Sequence, residues 1–399
     1  MTEFNNLDTK IEKNTTGEES KISSPEGVLE QKANFEEIEQ NPPQNIPQTS
    51  AEPAFVQKNT ATDQPNVVYQ YLPQPTRPVD PELEAEKKKI KRDALTIGSS
   101  FLLMHGIILV LNLLMLSIGM VFGFTGNSKA VEILYSPAAL QVMQIGFSLI
   151  SFTVPFVLFF KLFSVRISDI VSFSLKRRKL FLPLFLFGIA FCSFANIISS
   201  IAASFFEKSN IDYEVIMPEN PKGIYGFLLV FISTVAVPAL IEEFTCRGLV
   251  MGLLRKYGDG FAIIVSSILF GLMHGNFEQM PFAFMVGLVL GFITVKSGSL
   301  LIAIAVHAFN NFVSVAFDYF FDGVPTVYQD VGYIIFLVVC LLLGIFALFL
   351  LKDEEDFYKL ETPEMKAKES KKALWFFTSA TIIIYSSICL VESLKFFVI

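Results

Sequence analysis

Ala94-Leu-Thr-Ile-Gly-Ser-Ser-Phe-Leu-Leu-Met-His-Gly-Ile-Ile-Leu-Val-Leu-Asn-Leu-Leu-Met-Leu-Ser-Ile-Gly-Met-Val-Phe122 contains no acidic or basic side chain. As a helix rising 1.5 Å per residue it would reach about 44 Å. That exceeds the roughly 30 Å of hydrocarbon a membrane span must cross. Lys87-Lys-Lys-Ile-Lys-Arg92 stands one residue before it, the basic flank expected on the cytoplasmic side of a span. Comparable apolar runs recur near 138–160, 180–204, 224–250, 260–276, 281–296, 299–318, 331–351 and 373–395. Together they predict an all-α, polytopic transmembrane helix bundle of about eight or nine spans over residues 93–399. The fifth and sixth runs are short and suit tilted, re-entrant or buried helices. Gly287 and Gly291 in the sixth form a small-xxx-small pair that lets a neighbouring helix come close.

Composition agrees. The chain is 52% hydrophobic and 17% charged, with mean hydropathy +0.52 and 42 Phe residues, against roughly 25% charged in soluble domains. The polar residues concentrate in residues 1–92, which read as a disordered, acidic, Pro/Gln-rich cytoplasmic tail unable to bury enough surface to offset its chain entropy. Within it, residues 69–78 favour polyproline II. No apolar segment follows Met1, so no secretory signal peptide is expected. The net charge of −7 arises largely in this tail. No basic stripe with interleaved aromatics is present, so no nucleic-acid partner is expected. Cys192, Cys246, Cys340 and Cys389 lie in or beside apolar stretches without CxxC spacing and read as buried hydrophobes.

Loop charges set an orientation. Lys161, Arg166 and Lys176 to Lys179, then Arg255 and Lys256, then Lys296, then Lys352, Lys371 and Lys372 alternate with the acidic connections after the third and seventh spans. The alternation puts the N-terminus in the cytoplasm. We expect a multi-pass protein of a bacterial plasma membrane, with the bilayer as its first partner.

Charged groups within a span are costly, about 2.5–3.5 kcal/mol each on insertion scales. Yet Val237-Pro-Ala-Leu-Ile-Glu-Glu-Phe-Thr-Cys-Arg-Gly248 holds three. Glu243 and Arg247 are four residues apart on one helical face and can pair. Glu242 is turned by about 100° from Glu243, so one carboxylate can be neutralised while the other points elsewhere. Pro238 lies four residues before Glu242 and should disturb the helix. The bland alternative is that all three snorkel to the cytoplasmic interface. The chain has only three histidines. His274 ends Phe270-Gly-Leu-Met-His274, and His307 shares a face with Asn311 in His307-Ala-Phe-Asn-Asn311, with Asn310 off that face. His105, in the first span with no polar companion, reads as a packed core residue. A buried carboxylate beside a histidine can activate a water, and a histidine with an amide can stabilise an oxyanion. These are the parts of a hydrolase for a carbonyl substrate. Zinc is a minor alternative, since neither histidine lies in an HExxH helix. A proton-coupled transporter would use the same residue types, though no inverted repeat is evident. The long tail also suits a non-catalytic scaffold.

Glu242-Glu-Phe-Thr-Cys-Arg247, Phe270-Gly-Leu-Met-His274 and His307-Ala-Phe-Asn-Asn311 resemble, in order and spacing, the EExxxR, FxxxH and HxxxN motifs of the CPBP family. That family comprises the type II CAAX-prenyl endopeptidases and bacteriocin-processing or immunity proteins. The resemblance covers about residues 220–320. It implies a glutamate-dependent intramembrane endopeptidase needing no cofactor or metal. Glu242 would be the general base, His274 would orient the water, and His307 and Asn311 would form the oxyanion site, with Glu243 and Arg247 in support. Implied partners are membrane-embedded or lipidated peptide or protein substrates; eukaryotic relatives remove the last three residues of prenylated CAAX proteins, while other relatives act in immunity or as scaffolds.

Overall fold

A computed structural model describes residues 80–208 and 219–394. Most of the expected tail, including the polyproline stretch, lies outside the described residues. Its proposed end at residue 92 is corrected, because helix α1 runs from Pro81 to Phe124. Asp80 caps it by accepting from the Glu82 amide at 3.0 Å, with Pro81 at the first helical position and Glu82 and Glu84 in the first turn. All three features favour a helix start. Ile90, Ala94, Ile97, Phe101 and Met104 form one fully buried stripe at helical spacing. The stripe begins inside the basic cluster, so charge alone hid it. At this end Glu86 accepts from the amides of Lys366 and Ala367 at 3.0 and 2.9 Å, and Asp93 accepts from Tyr257 Oη at 2.7 Å.

All described secondary structure is helical. After α1 come α2 (Pro137–Leu162), α3 (Phe181–Lys208), α4 (a continuous helical run, Gly223–Tyr257), α5 (Asp259–Leu272), α6 (Gln279–Ser297), α7 (Leu300–Phe320) and α8 (Thr326–Leu351). The last two are α9 (Glu369–Phe377) and α10 (Ala380–Leu394). Among the described residues seven of these helices are long and apolar enough to cross a membrane, and α9 with α10 makes an eighth if the 73° bend between them is counted as one span. Two expected spans are therefore revised. The fifth stops at Leu272, too short to cross alone, and is mostly buried within the bundle. The ninth is broken between Phe377 and Ala380. The lipid-facing character of α8 shows in Ile334, Ile335, Leu342, Ile345 and Phe349, each more than half exposed.

The short α5 packs along α6, and the two glycines are the reason. A Cβ on Gly287 would stand 2.9 Å from Ser267 Cβ and 3.0 Å from its Cα; one on Gly291 would meet Ile263 at 3.2 Å. Since Ser267 offers backbone at that point, Gly287→Val should cost about 1–3 kcal/mol by overpacking, read as a lower unfolding temperature in detergent. An unchanged temperature would show that α5 can shift freely.

The four cysteines are buried and unpaired. His105 is not without companions: its Nε2 lies 3.3 Å from Glu392 Oε2 and 3.9 Å from Cys389 Sγ, both on α10. The partners come from the far end of the chain, so no local pattern could reveal them.

Candidate active site

Helix α4 carries the acidic motif and is not a uniform α-helix. Phe231–Ala236 and Phe244–Met251 are π-helical, and Val237–Glu243 between them is α-helical. Such wide turns are frequent at functional sites. Pro238 has no N–H to give to the carbonyl four residues earlier, which is Thr234. Asn311 of α7 supplies the missing donor, with Nδ2 3.1 Å from Thr234 O. A carbonyl can only accept, so this bond fixes which way the Asn311 amide faces. The other side of the amide is fixed as well. Asn311 Oδ1 accepts from Asn310 Nδ2 at 3.3 Å, and Asn310 Oδ1 accepts from Asn196 Nδ2 of α3 at 3.4 Å.

The two glutamates separate as their spacing foretold. Glu243 is fully buried and accepts from Arg247 Nη1 at 2.8 Å. The same oxygen, Oε1, lies 2.9 Å from His307 Nδ1. With Glu243 ionised against Arg247, the His307 Nδ1–H is the donor. His307 Nε2 then points to Glu242, 3.9 Å from Oε2, too far for a direct hydrogen bond. His274 sits just beyond the end of α5 and its Nδ1 lies 2.7 Å from Phe270 O. The acceptor is again a carbonyl, so Nδ1 carries the proton and Nε2 of the neutral ring is an acceptor. Gly275 follows with φ +63°, a left-handed turn that suits glycine and takes the chain away from the site.

Phe270 joins the parts. The Arg247 guanidinium lies 4.1 Å over its ring, and the rings of His274 and His307 meet it edge-on with centroids 5.0 and 6.0 Å away. The cation–π contact holds Arg247 in a place where few polar partners exist.

Glu242, His274, His307 and Asn311 all line one cavity of about 200 Å³. Glu243 holds His307 from outside this lining and is itself held by Arg247. Two contributors carry no signal in the sequence, Thr234 and Asn196, and a third, Asn310, is better placed than its helical face suggested. Thr234 acts through a backbone atom and leaves no side-chain signal. Asn310 was placed off the His307 face, yet lines the same cavity. Asn196 lies on a helix outside the motif region. Among the described residues no group of three His, Cys, Asp or Glu side chains stands close enough to hold a metal ion. His307 Nδ1 and His274 Nδ1 are engaged by Glu243 and the Phe270 carbonyl.

A specific consequence attaches to Pro238. Replacing it with Ala offers Thr234 O a backbone N–H in α-helical register that competes with Asn311. Pro238→Ala should leave the fold as stable or more so, because Pro is the poorest residue inside a helix. On the oxyanion role expected for Asn311, turnover should fall about ten-fold or more with KM little changed, up to the 10²–10³ that removing a donor outright costs. Unchanged kcat would show that the Asn311 orientation does not depend on this bond.

No curated protein and no solved structure matched the chain. Residues 224–313, about a quarter of the sequence, match the family model described as type II CAAX prenyl endopeptidase Rce1-like. The matched stretch runs from the start of α4 into α7 and includes all six residues assembled above. Over this stretch the chain is similar to the type II CAAX prenyl endopeptidase Rce1-like family, in agreement with the three motifs at residues 242–247, 270–274 and 307–311.

Proposed function

We propose that the protein is an intramembrane endopeptidase that hydrolyses peptide bonds of membrane-associated or lipidated, CAAX-like substrates with a water activated by Glu242 and without a metal. The observation that carries this reading is the division of labour between adjacent carboxylates. Glu243 is neutralised by Arg247 and His307, while Glu242 lines a cavity with His274, His307 and Asn311.

The charges balance in either proton position. With Glu243 negative and Arg247 positive, one proton serves Glu242 and His307 together. On His307 it leaves Glu242 basic; on Glu242 it leaves His307 neutral. Neither placement leaves net charge in the apolar interior, where an uncompensated ion is costly. In the reactive form Glu242 accepts a proton from a water whose second hydrogen is held by His274 Nε2. The water oxygen attacks the substrate carbonyl carbon, and the free N–H of Asn311 with His307 Nε2–H receives the developing oxyanion. Collapse breaks the C–N bond. Glu242 returns its proton to the leaving nitrogen, giving a carboxylic acid and an amine.

The test is cleavage of a panel of tagged membrane and lipidated peptides by purified protein in nanodiscs, wild type beside Glu242→Ala, with and without a chelator. Cleavage that survives chelation and is lost in the variant is the expected result. Loss on chelation would instead restore a metal site, and full activity of the variant would remove Glu242 from the chemistry.

A further inference from the structure

A second cavity, of about 440 Å³, shares Thr234, His274, Phe282, Asn310 and Asn311 with the catalytic one. The two therefore adjoin along these residues. The larger one follows α7 toward its C-terminal end, where Ser314, Phe317 and Asp318 line it. His307, Asn311, Ser314 and Asp318 are spaced four, three and four residues apart. That is one face of a helix, and here the face is polar from the catalytic histidine to the cavity mouth.

Asp318 is the one acidic side chain among the residues lining this larger cavity, and no Lys or Arg lines it. It lies in the last turns of α7, where the helix dipole favours a cation and disfavours a carboxylate. No basic residue occupies that last turn, and among the described residues none is paired with Asp318. The side chain is exposed at the mouth, within reach of anything entering. A carboxylate with no basic partner among the described residues, set against its own helix dipole in a cavity that adjoins the catalytic one, calls for a positive charge from outside.

We infer that Asp318 is a specificity-determining residue that receives a basic side chain of the substrate. This rests on the peptidase reading above. Asn311 to Asp318 spans about 10 Å along the helix, or about three residues of extended peptide, and a lysine side chain adds further reach. The basic residue therefore falls three to five residues from the bond that is cut. A free C-terminal carboxylate is disfavoured at the same place. A substrate cut three residues from its carboxyl end must then lie with that end on the other side of Asn311.

The experiment measures binding separately from turnover. Glu242→Gln protein in nanodiscs is titrated with fluorescein-labelled farnesylated peptides. In these, one position, scanned over five residues on either side of the farnesyl-cysteine, is Lys, Gln or Glu. At one or two neighbouring positions Lys should bind about ten-fold more tightly than Gln, and Glu more weakly. Adding Asp318→Asn should abolish the difference, Asp318→Glu should keep it, and Asp318→Lys should invert it. A Lys preference that persists in Asp318→Asn, binding blind to charge at every position, or no binding by any peptide would each overturn the inference. Wild-type turnover of the same peptides separates the two readings. Charge-blind cleavage sinks this inference and leaves the peptidase standing; Asp318-dependent binding without cleavage sinks the peptidase and leaves Asp318 as a ligand-binding residue only.

Discussion

Glu242→Gln should lower peptide cleavage by about 10³-fold or more while leaving the protein as stable as wild type. Glutamine keeps the size of the side chain and one acceptor oxygen, so the shape of the cavity is retained. What it loses is the capacity to take a proton from water, a role worth typically 10²–10⁴. The water would remain held by His274 Nε2 but would have no base. Stability should not suffer, since among the described residues the Glu242 side chain makes no hydrogen bond, its approach to His307 being 3.9 Å, and a neutral amide is easier to bury than a carboxylate. The measurement is kcat on the best peptide of the panel beside the unfolding temperature in the same detergent. A drop below ten-fold would mean that another group supplies the base. A large fall in unfolding temperature would mean that Glu242 is structural, and the loss of activity would then carry no mechanistic weight.

The second large effect is on stability and comes from the residue beside it. Glu243→Leu leaves Arg247 charged and fully buried with its partner gone, and such breakage costs about 3–5 kcal/mol. The pair is already sparingly bonded: Glu243 Oε2 and Arg247 Nε and Nη2 find no hydrogen-bond partner among the described residues. The double variant Glu243→Leu with Arg247→Met removes both charges and should regain most of that stability, because apolar replacements of a buried pair are often neutral or favourable. Activity should not return. His307 Nδ1 would still lack its acceptor, and the ring would lose the bond that aims Nε2 at Glu242. Stability and turnover should thus separate in the double variant. Recovery of both together would show that Glu243 and Arg247 serve the fold alone.

Much of this architecture is legible in the sequence because a membrane leaves few options. A run such as Ala94–Phe122 can satisfy its backbone in lipid only as a helix, and intramembrane Glu242, Glu243 and Arg247 demand partners. Spacing then gave the Glu243–Arg247 pair, since four residues is a local relation. What stayed hidden is non-local or carried by backbone. The Glu243–His307 bond joins residues 64 apart, the Phe270 ring takes Arg247 from another helix, and His105 meets Glu392 across almost the whole described chain. The start of α1 was misjudged for a different reason. Lys87 to Arg92 look like a flank, whereas Ile90 among them already belongs to the buried stripe.

The bond between Asn311 and the carbonyl left open by Pro238 has one more effect. A buried carbonyl that loses its donor costs about 1–3 kcal/mol until another partner reaches it. Helix α7 therefore cannot slide or rotate against α4 by even one step without surrendering that contact. The proline that weakens one helix acts as a register pin between two, and it holds His307 and Asn311 opposite Glu242 without any added side chain.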